Sequence, residues 1–429
     1  MLFQTFAGVL LLLAMAWGLS TNRRAIAWRT VATGLAIQSA LYVLITYVPA
    51  VNAAFSAMGD GFARMLAFSA EGAGFVFGDL ARPARFGFVF AFVVLPVVIF
   101  FSALSAMCYH LGLLQRVVAM LAWVMTRAMR LSGRESLVVA ANIFLGQTEA
   151  PLLIRPYIAS LTRSELATVM IAGMGTLSAS VMAAYVSFLG GNDPLEQAKF
   201  ARFLLTASFM NAASAAVFAK ILFPETACPS QGDSAPEPRQ ERGSLISAIV
   251  GGALDGMKMA GAIATILIAI VSLIAMANFL LREGPGDWFG LNALIRTSTS
   301  GVFQSLTLEY LFGQVFRVFA FLMGISWAES LQVGSLIGQK IVINEFIAYL
   351  DLARMKQAGT LSAPSVMVAT YALASFSNFG SIGICVAGIG SLAENQKGAL
   401  AGLGLRALAG AVMAGLMTAT VANLWQQIL

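Results

Sequence analysis

The chain has 429 residues, 59% of them hydrophobic and only 11% charged, with a formal net charge of +6 and a mean hydropathy of +0.82. A soluble domain carries roughly a quarter of its residues as charges, so an ordinary soluble globular protein is excluded and the bilayer is the solvent. Cys108, Cys228, Cys385 and the single His110 make no Cys-x-x-Cys or Cys/His cluster, which excludes a disulfide framework or a zinc site of that type. They are expected to pack between helices.

In chain order, charge-free stretches run over 1–22, 30–59, 86–115, 166–192, 203–219, 259–281, 358–393 and 407–429. Most reach the ~20 residues of a spanning helix, which predicts an all-α polytopic protein with about eight spans. Arg23 and Arg24 follow the first apolar run instead of preceding it, so that run is expected to be a retained helix and not a cleaved signal peptide. The Lys and Arg bias between loops is too weak to fix orientation. One hydrophilic linker, ACPSQGDSAPEPRQERGS at 227–244, is expected to be a flexible cytoplasmic loop between two halves.

The halves share a motif: MRLSGRESL at 129–137 and MGISWAESL at 323–331. The apolar run after the first copy, Ser136 to Thr148, is short and broken by LGQTEAP. The run after the second, QVGSLIGQKIVINEFIAY, is also short and carries Lys340 and Glu345. Neither can span, and both are expected to be re-entrant hairpins, since non-helical backbone survives at membrane depth only where protein or a cavity satisfies it. A Gly- and Ser-interrupted span follows each, at 166–190 and 360–392. Spans near 166–190, 203–223 and 245–281 separate the copies, and that odd number makes the repeat inverted, a pointer to the binding site of a secondary transporter. Segment 306–328, with Glu309 and Arg317, is expected to be an interfacial helix matching 116–130, a further span being the alternative. The division expected is 1–115 as mainly scaffold spans, 116–226 as the first repeat, 227–244 as linker, 245–305 as a long scaffold span with an extracellular loop, and 306–429 as the second repeat.

Candidate chemistry gathers at the interruptions. Gln147, Thr148 and Glu149 stand before Pro151, with Asn142 upstream, a cluster of donors and acceptors for a polar ligand, and charge at this depth is costly unless it is partnered. Asn344-Glu345 is the corresponding tip, and a carboxylate can hold two neighbouring hydroxyls, as on a sugar diol. In LASFSNFGSIGI (373–384), Asn378 and Ser381 are candidate ligand contacts beside Phe376. In AGMGTLSASVMAAY (172–185), hydroxyls such as Thr176 could serve a monovalent cation or close packing. Asp255 and Lys258 are three apart on one helical face and are expected to be a structural pair, with a proton relay the alternative. No P-loop, GxSxG or HExxH pattern is present, so neither ATP-driven transport nor common hydrolase chemistry has support.

The motifs GQTEAPLLIRPY (146–157), FAKILFPET (218–226), INEFIAYL (343–350) and FSNFGSIGI (376–384) resemble those of the concentrative nucleoside transporter family. The resemblance implies a homotrimer of eight-span protomers with two re-entrant hairpins, a scaffold and an inverted-repeat transport domain. It implies that Gln147, Thr148 and Glu149 contact a nucleobase, which Val181 and Phe376 line, and that Glu345, Asn378 and Ser381 contact the ribose. It further implies a sodium site from the side chains of Asn142 and Thr176 and the backbone carbonyls of Leu145 and Leu177. The run Met259, Ala260, Gly261, Ala262, Ile263 departs from the family's Leu-Ala-x-Asn-Val and lacks its amide. The expected function is therefore cation-coupled import of nucleosides such as uridine across the inner membrane by alternating access. Sodium is favoured over a proton carried by Glu149; membrane lipid is the surrounding partner, with no cofactor and no nucleic acid. The alternatives are an intramembrane enzyme using Glu149 and Glu345 as acid and base, or a channel.

Overall fold

The computed structural model describes residues 2–226 and 243–429. The linker expected at 227–244, and Cys228 with it, lies almost wholly outside the described residues. Among these, all regular structure is helical. The first three helices are α1 (Leu2–Leu19), α2 (Trp28–Tyr47) and α3 (Pro49–Phe77). The expected stretch 30–59 is thus divided, because Pro49 takes the first position of a new helix after extended Val48, where its missing N–H costs nothing. Single turns α4 (Pro83–Phe86) and α5 (Phe90–Val93) lead to α6 (Leu95–His110) and the amphipathic α7 (Leu113–Met129).

The two copies of the repeated motif begin equivalent helices. Ser132 caps α8 (Gly133–Ala141), and Glu135 returns its carboxylate to the Ser132 N–H at 3.0 Å. Ser326 caps α15 (Trp327–Val342) by accepting from the N–H of Glu329. The Ser-x-x-Glu spacing shared by the two copies is therefore a capping signal that satisfies N–H groups a helix start leaves open. Each glutamate also reaches the next long element. Glu135 accepts from Thr168 at 2.8 Å, while Glu329 accepts from the Ser362 N–H at 2.7 Å and its hydroxyl at 3.0 Å.

Beyond α8 the chain turns through 142–149 and returns as a 3₁₀ segment, Ala150–Ser160. The second hairpin returns as α16 (Glu345–Gln357). Each is followed by a broken helix. In the first half, α9 (Arg163–Gly175) and α10 (Ala179–Gly190) are separated at Thr176–Ser178; in the second, α17 (Ala363–Leu373) and α18 (Phe379–Leu392) are separated at 374–378. Next to these lie the long helices α11 (Pro194–Leu222) and α19 (Lys397–Ile428), and on the outside α12 (Leu245–Leu281). A short α13 (Leu291–Ser298) precedes α14 (Leu308–Leu322), which folds back on α15 with a bend of 118°. Close approach of α14 and α15 needs glycine: a Cβ on Gly338 would stand 2.3 Å from the Cβ of Phe312.

Among the described residues, seven helices are long and apolar enough to cross a membrane. The segment α9–α10 and helix α11 are almost entirely buried in protein, whereas α12 is mostly exposed, with Ile246, Val250, Ile266 and Ile268 on its surface. α11 is the internal pin. Ser208 donates to the carbonyl of Ile143 at 2.9 Å, Asn211 to that of Ala374 at 2.5 Å and Ser214 to that of Ala414 at 3.0 Å.

Candidate functional site

Two hairpin tips and two helix breaks converge. The N–H of Phe376 donates to the carbonyl of Thr176 at 3.2 Å, joining the breaks, and the N–H of Ala179 donates to the carbonyl of Phe144 at 3.0 Å, joining the first break to the first hairpin. Backbone groups freed where a helix stops are thus satisfied across elements, which is what buried irregular backbone requires.

The second tip is built on two asparagine caps. Asn344 accepts from the N–H of Ile347 at 3.0 Å, which starts α16 and sets Glu345 at its first position, where a helix dipole favours negative charge. Asn378 caps α18 by accepting from the N–H of Ser381 at 2.9 Å. The amide nitrogen of Asn378 then donates to Glu345 Oε2 at 2.8 Å. On the other carboxylate oxygen, Tyr185 donates to Oε1 at 3.1 Å. Both oxygens keep acceptor capacity for a further donor. The Tyr185 ring stacks on Tyr349, centroids 4.2 Å apart, and Tyr349 donates to the carbonyl of Thr370 at 2.8 Å.

The first tip meets the same helix α18. Gln147, buried, points its amide nitrogen at Ser381 Oγ (3.4 Å), and Cys385 points its thiol at Gln147 Oε1 (3.4 Å). A continuous polar chain therefore runs from Cys385 through Gln147, Ser381 and Asn378 to Glu345 and Tyr185. Thr148 and Glu149 differ from Gln147 in being exposed on the protomer. Glu149 accepts from the N–H of Gly146 at 3.2 Å. A Cβ on Gly388 would stand 2.8 Å from Thr148 Cγ2, so α18 approaches the tip through a glycine. Val181 is buried in α10 and Phe376 is half-buried at the break. Met259 of α12, in the run without the expected amide, lies 4.0 Å through its sulfur from Ser180 Oγ, beside Val181.

Asn142 ends α8 and Thr176 ends α9. Asn142 donates to the carbonyl of Val138 at 3.1 Å, and its Oδ1 is buried without a hydrogen-bond partner. Thr176 donates to the carbonyl of Ala172 at 2.9 Å, leaving its oxygen as an acceptor. Leu145 and Leu177 are both buried. An orphaned amide oxygen and a hydroxyl with free acceptor capacity are neutral oxygens of the kind that suits a hard monovalent cation.

Tyr185 and Cys385 are partners that the sequence reading did not single out. A buried tyrosine hydroxyl needs a partner, which was the available signal for the former. Lys340, also buried, donates to the carbonyl of Ala372 at 2.8 Å. Asp255 and Lys258 form an ion pair at 2.9 Å with both side chains largely exposed, a geometry that matches the structural reading. A separate cavity of about 390 Å³, lined by Arg130, Glu135, Lys220 and Glu225 among others, lies at the opposite end of α8 from Asn142.

Comparison with known proteins is consistent along the whole chain. Residues 203–423 match the family described as Na+ dependent nucleoside transporter C-terminus, 7–80 its N-terminus, and 91–192 a family described as nucleoside recognition. The putative nucleoside permease NupX of Escherichia coli is 34% identical over 98% of this chain and 98% of its own. Sodium/nucleoside cotransporter 1 of Rattus norvegicus is 35% identical over 98% of this chain and 63% of its own. The structure of CNTnw in an inward-facing substrate-bound state superposes with a TM-score of 0.88 at 36% identity, covering 99% of this chain and 98% of that one. These relatives are transporters, so the reading of Glu149 and Glu345 as acid and base of an enzyme falls away. A helical chain with paired hairpins, paired helix breaks and matches of this extent belongs to the Na+-dependent nucleoside transporter family.

Proposed function

We propose that this chain is a sodium-coupled symporter that carries nucleosides such as uridine inward across the inner membrane by alternating access. The observation that carries the reading is the polar chain from Gln147 to Glu345, which draws both hairpins and one broken helix onto a single locus. Its chemistry is divided as a nucleoside is. Glu345, with Asn378 and Ser381, offers charge-assisted acceptors and donors to the ribose hydroxyls. Gln147, Thr148 and Glu149 offer a mixed donor and acceptor edge to the base, against Val181 and Phe376. The side chains of Asn142 and Thr176, with the carbonyls of Leu145 and Leu177, hold sodium at the adjoining junction, and the orphaned Asn142 oxygen supports that assignment.

In this reading the hairpins are re-entrant, and the eighth span is the broken pair α17–α18, added to the seven helices of sufficient length. The repeats 116–226 and 306–429 form the transport domain, 1–115 and 245–305 the scaffold, and 227–244 the cytoplasmic linker. The exposed apolar face of α12 serves lipid and the neighbours in a homotrimer.

A proton is the second reading for the coupling ion, because Glu149 is a carboxylate at the tip of an apolar hairpin, a group that can bind and release a proton during the cycle. Counter-flow of labelled uridine in proteoliposomes, with sodium and pH gradients applied separately, tests both. Accumulation of unmodified uridine driven by sodium is expected. Accumulation in sodium-free buffer, driven by protons and abolished by Glu149→Gln, would make it a proton symporter, and equilibration without accumulation would make it a channel.

A further inference from the structure

The two repeats differ where the leading helix of each hairpin ends against a broken helix. At the end of the first hairpin's leading helix, where it meets the break of α9–α10, stand the neutral oxygens of Asn142 and Thr176, one of them without a partner. At the end of the second hairpin's leading helix, where it meets the break of α17–α18, stands a cation, the ammonium of Lys340. It is 1% exposed and lies in the last turn of α15. Its Nζ donates to the carbonyl of Ala372 in the last turn of α17 at 2.8 Å. The C-terminus of α17 thus turns its negative end toward it.

The surroundings are those of a bound cation. A Cβ on Gly415 of α19 would stand 3.4 Å from Lys340 Nζ, 3.4 Å from the Ala372 carbonyl oxygen and 3.2 Å from Ser375 Oγ. The glycine leaves space where an ammonium, a carbonyl and a hydroxyl meet. Among the described residues, no carboxylate pairs with Lys340 at contact distance. Glu345, five residues on, spends its oxygens on Asn378 and Tyr185 and acts on the ammonium through space. A buried lysine in a membrane protein is expensive and is retained where it has a function.

We infer that Lys340 is the resident cation of the second repeat: its ammonium holds the junction of hairpin and broken helix there, as sodium does in the first repeat, and it is the counter-charge to the substrate-binding Glu345. The inference rests on the reading of Asn142 and Thr176 as the sodium site. With the pair in place, the charges of Lys340 and Glu345 cancel when the carrier is empty, and a sodium ion loaded with substrate adds the one net charge of the cycle. Lys340 acts on substrate through Glu345 and is a positioning residue.

The test uses the full chain purified in mild detergent, with uridine binding titrated over a sodium series for wild type, Lys340→Met, Lys340→Arg and Lys340→Ala. Lys340→Met keeps length and removes charge, so a fall of tenfold or more in uridine affinity with a retained melting transition is expected, and Lys340→Arg should retain more affinity. Lys340→Ala, which leaves a space, should recover affinity when methylammonium is added, while wild type should not respond. Wild-type affinity and sodium dependence in Lys340→Met would overturn the inference, as would a folded, impaired Lys340→Ala that methylammonium leaves unchanged. Should Lys340→Ala fail to fold, Lys340→Met alone decides. A wild-type protein indifferent to sodium would sink the sodium reading, and the methylammonium response would still decide whether a cation is required at Lys340.

Discussion

The backbone N–H of Phe376 donates to the carbonyl oxygen of Thr176 at 3.2 Å, tying together two helix breaks 200 residues apart. Thr176 belongs to the junction proposed for sodium and Phe376 to the wall proposed for the nucleobase. A cation that draws on the Thr176 hydroxyl therefore acts one hydrogen bond away from the substrate wall. Asn142→Ala removes the orphaned oxygen of that junction and should raise the sodium concentration for half-maximal uptake by about tenfold, the loss of one ion-directed contact of roughly 1.5 kcal/mol. Thr176→Ala should act in the same direction and less, since that hydroxyl is already engaged with Ala172. Uptake measured against a sodium series checks both.

Glu345→Gln should reduce uridine uptake by tenfold or more while leaving the protein folded. An amide places an NH2 group against either Asn378 or Tyr185, both of which donate to the carboxylate, and it forfeits a charge-assisted bond worth about 1.5–3 kcal/mol. Radiolabelled uptake with a melting curve in detergent separates the two effects, and wild-type uptake would remove Glu345 from the ribose subsite.

Tyr185→Phe is the milder counterpart. It keeps the ring stacked on Tyr349 and deletes only the donor to Glu345 Oε1. A single hydrogen bond to a charged group contributes about 1.5 kcal/mol, so uridine affinity should fall by roughly tenfold with little change in melting temperature. Calorimetric titration reads it.

The repeated Ser-x-x-Glu spacing was legible as a repeat because capping chemistry fixes residue types at fixed offsets, and the breaks at Thr176 and Ser375 were legible because glycines and hydroxyls interrupt apolar runs. Partners at long range were not. Tyr185 meets a glutamate 160 residues away and Cys385 a glutamine 238 residues away, and neither sits in a pattern that spacing reveals. Helix α3 was hidden differently: Asp60, Arg64 and Glu71 interrupt its apolar character, so a helix of 29 residues reads as the tail of one span and a loop. The carboxylates Glu149 and Glu345 looked alike in sequence, each at a hairpin tip, yet Glu149 is exposed on the protomer and Glu345 is buried.

Glu135 and Lys220 form a buried ion pair that also engages Thr168 and Ser164. Lys220→Met leaves an uncompensated carboxylate and should cost about 3–5 kcal/mol, whereas Lys220→Met combined with Glu135→Gln removes both charges and should recover a large part of it. Melting temperatures of the single and double variants in detergent provide the measurement. Equal losses in the two would show that the pair carries no electrostatic stability.

The pin provided by α11 has a consequence for biogenesis. The Asn211 amide in the first half finds its acceptor at Ala374, and the Thr176 carbonyl finds its donor at Phe376, both synthesised near the end of the chain. Until then the first half holds an open helix end and an unpaired amide in a medium that offers no water to satisfy them. The nascent protein must therefore keep these groups shielded, by the insertion machinery or by lipid headgroups, until the second repeat arrives. A chain truncated after α11 would be a substrate for membrane quality control and not a half-transporter.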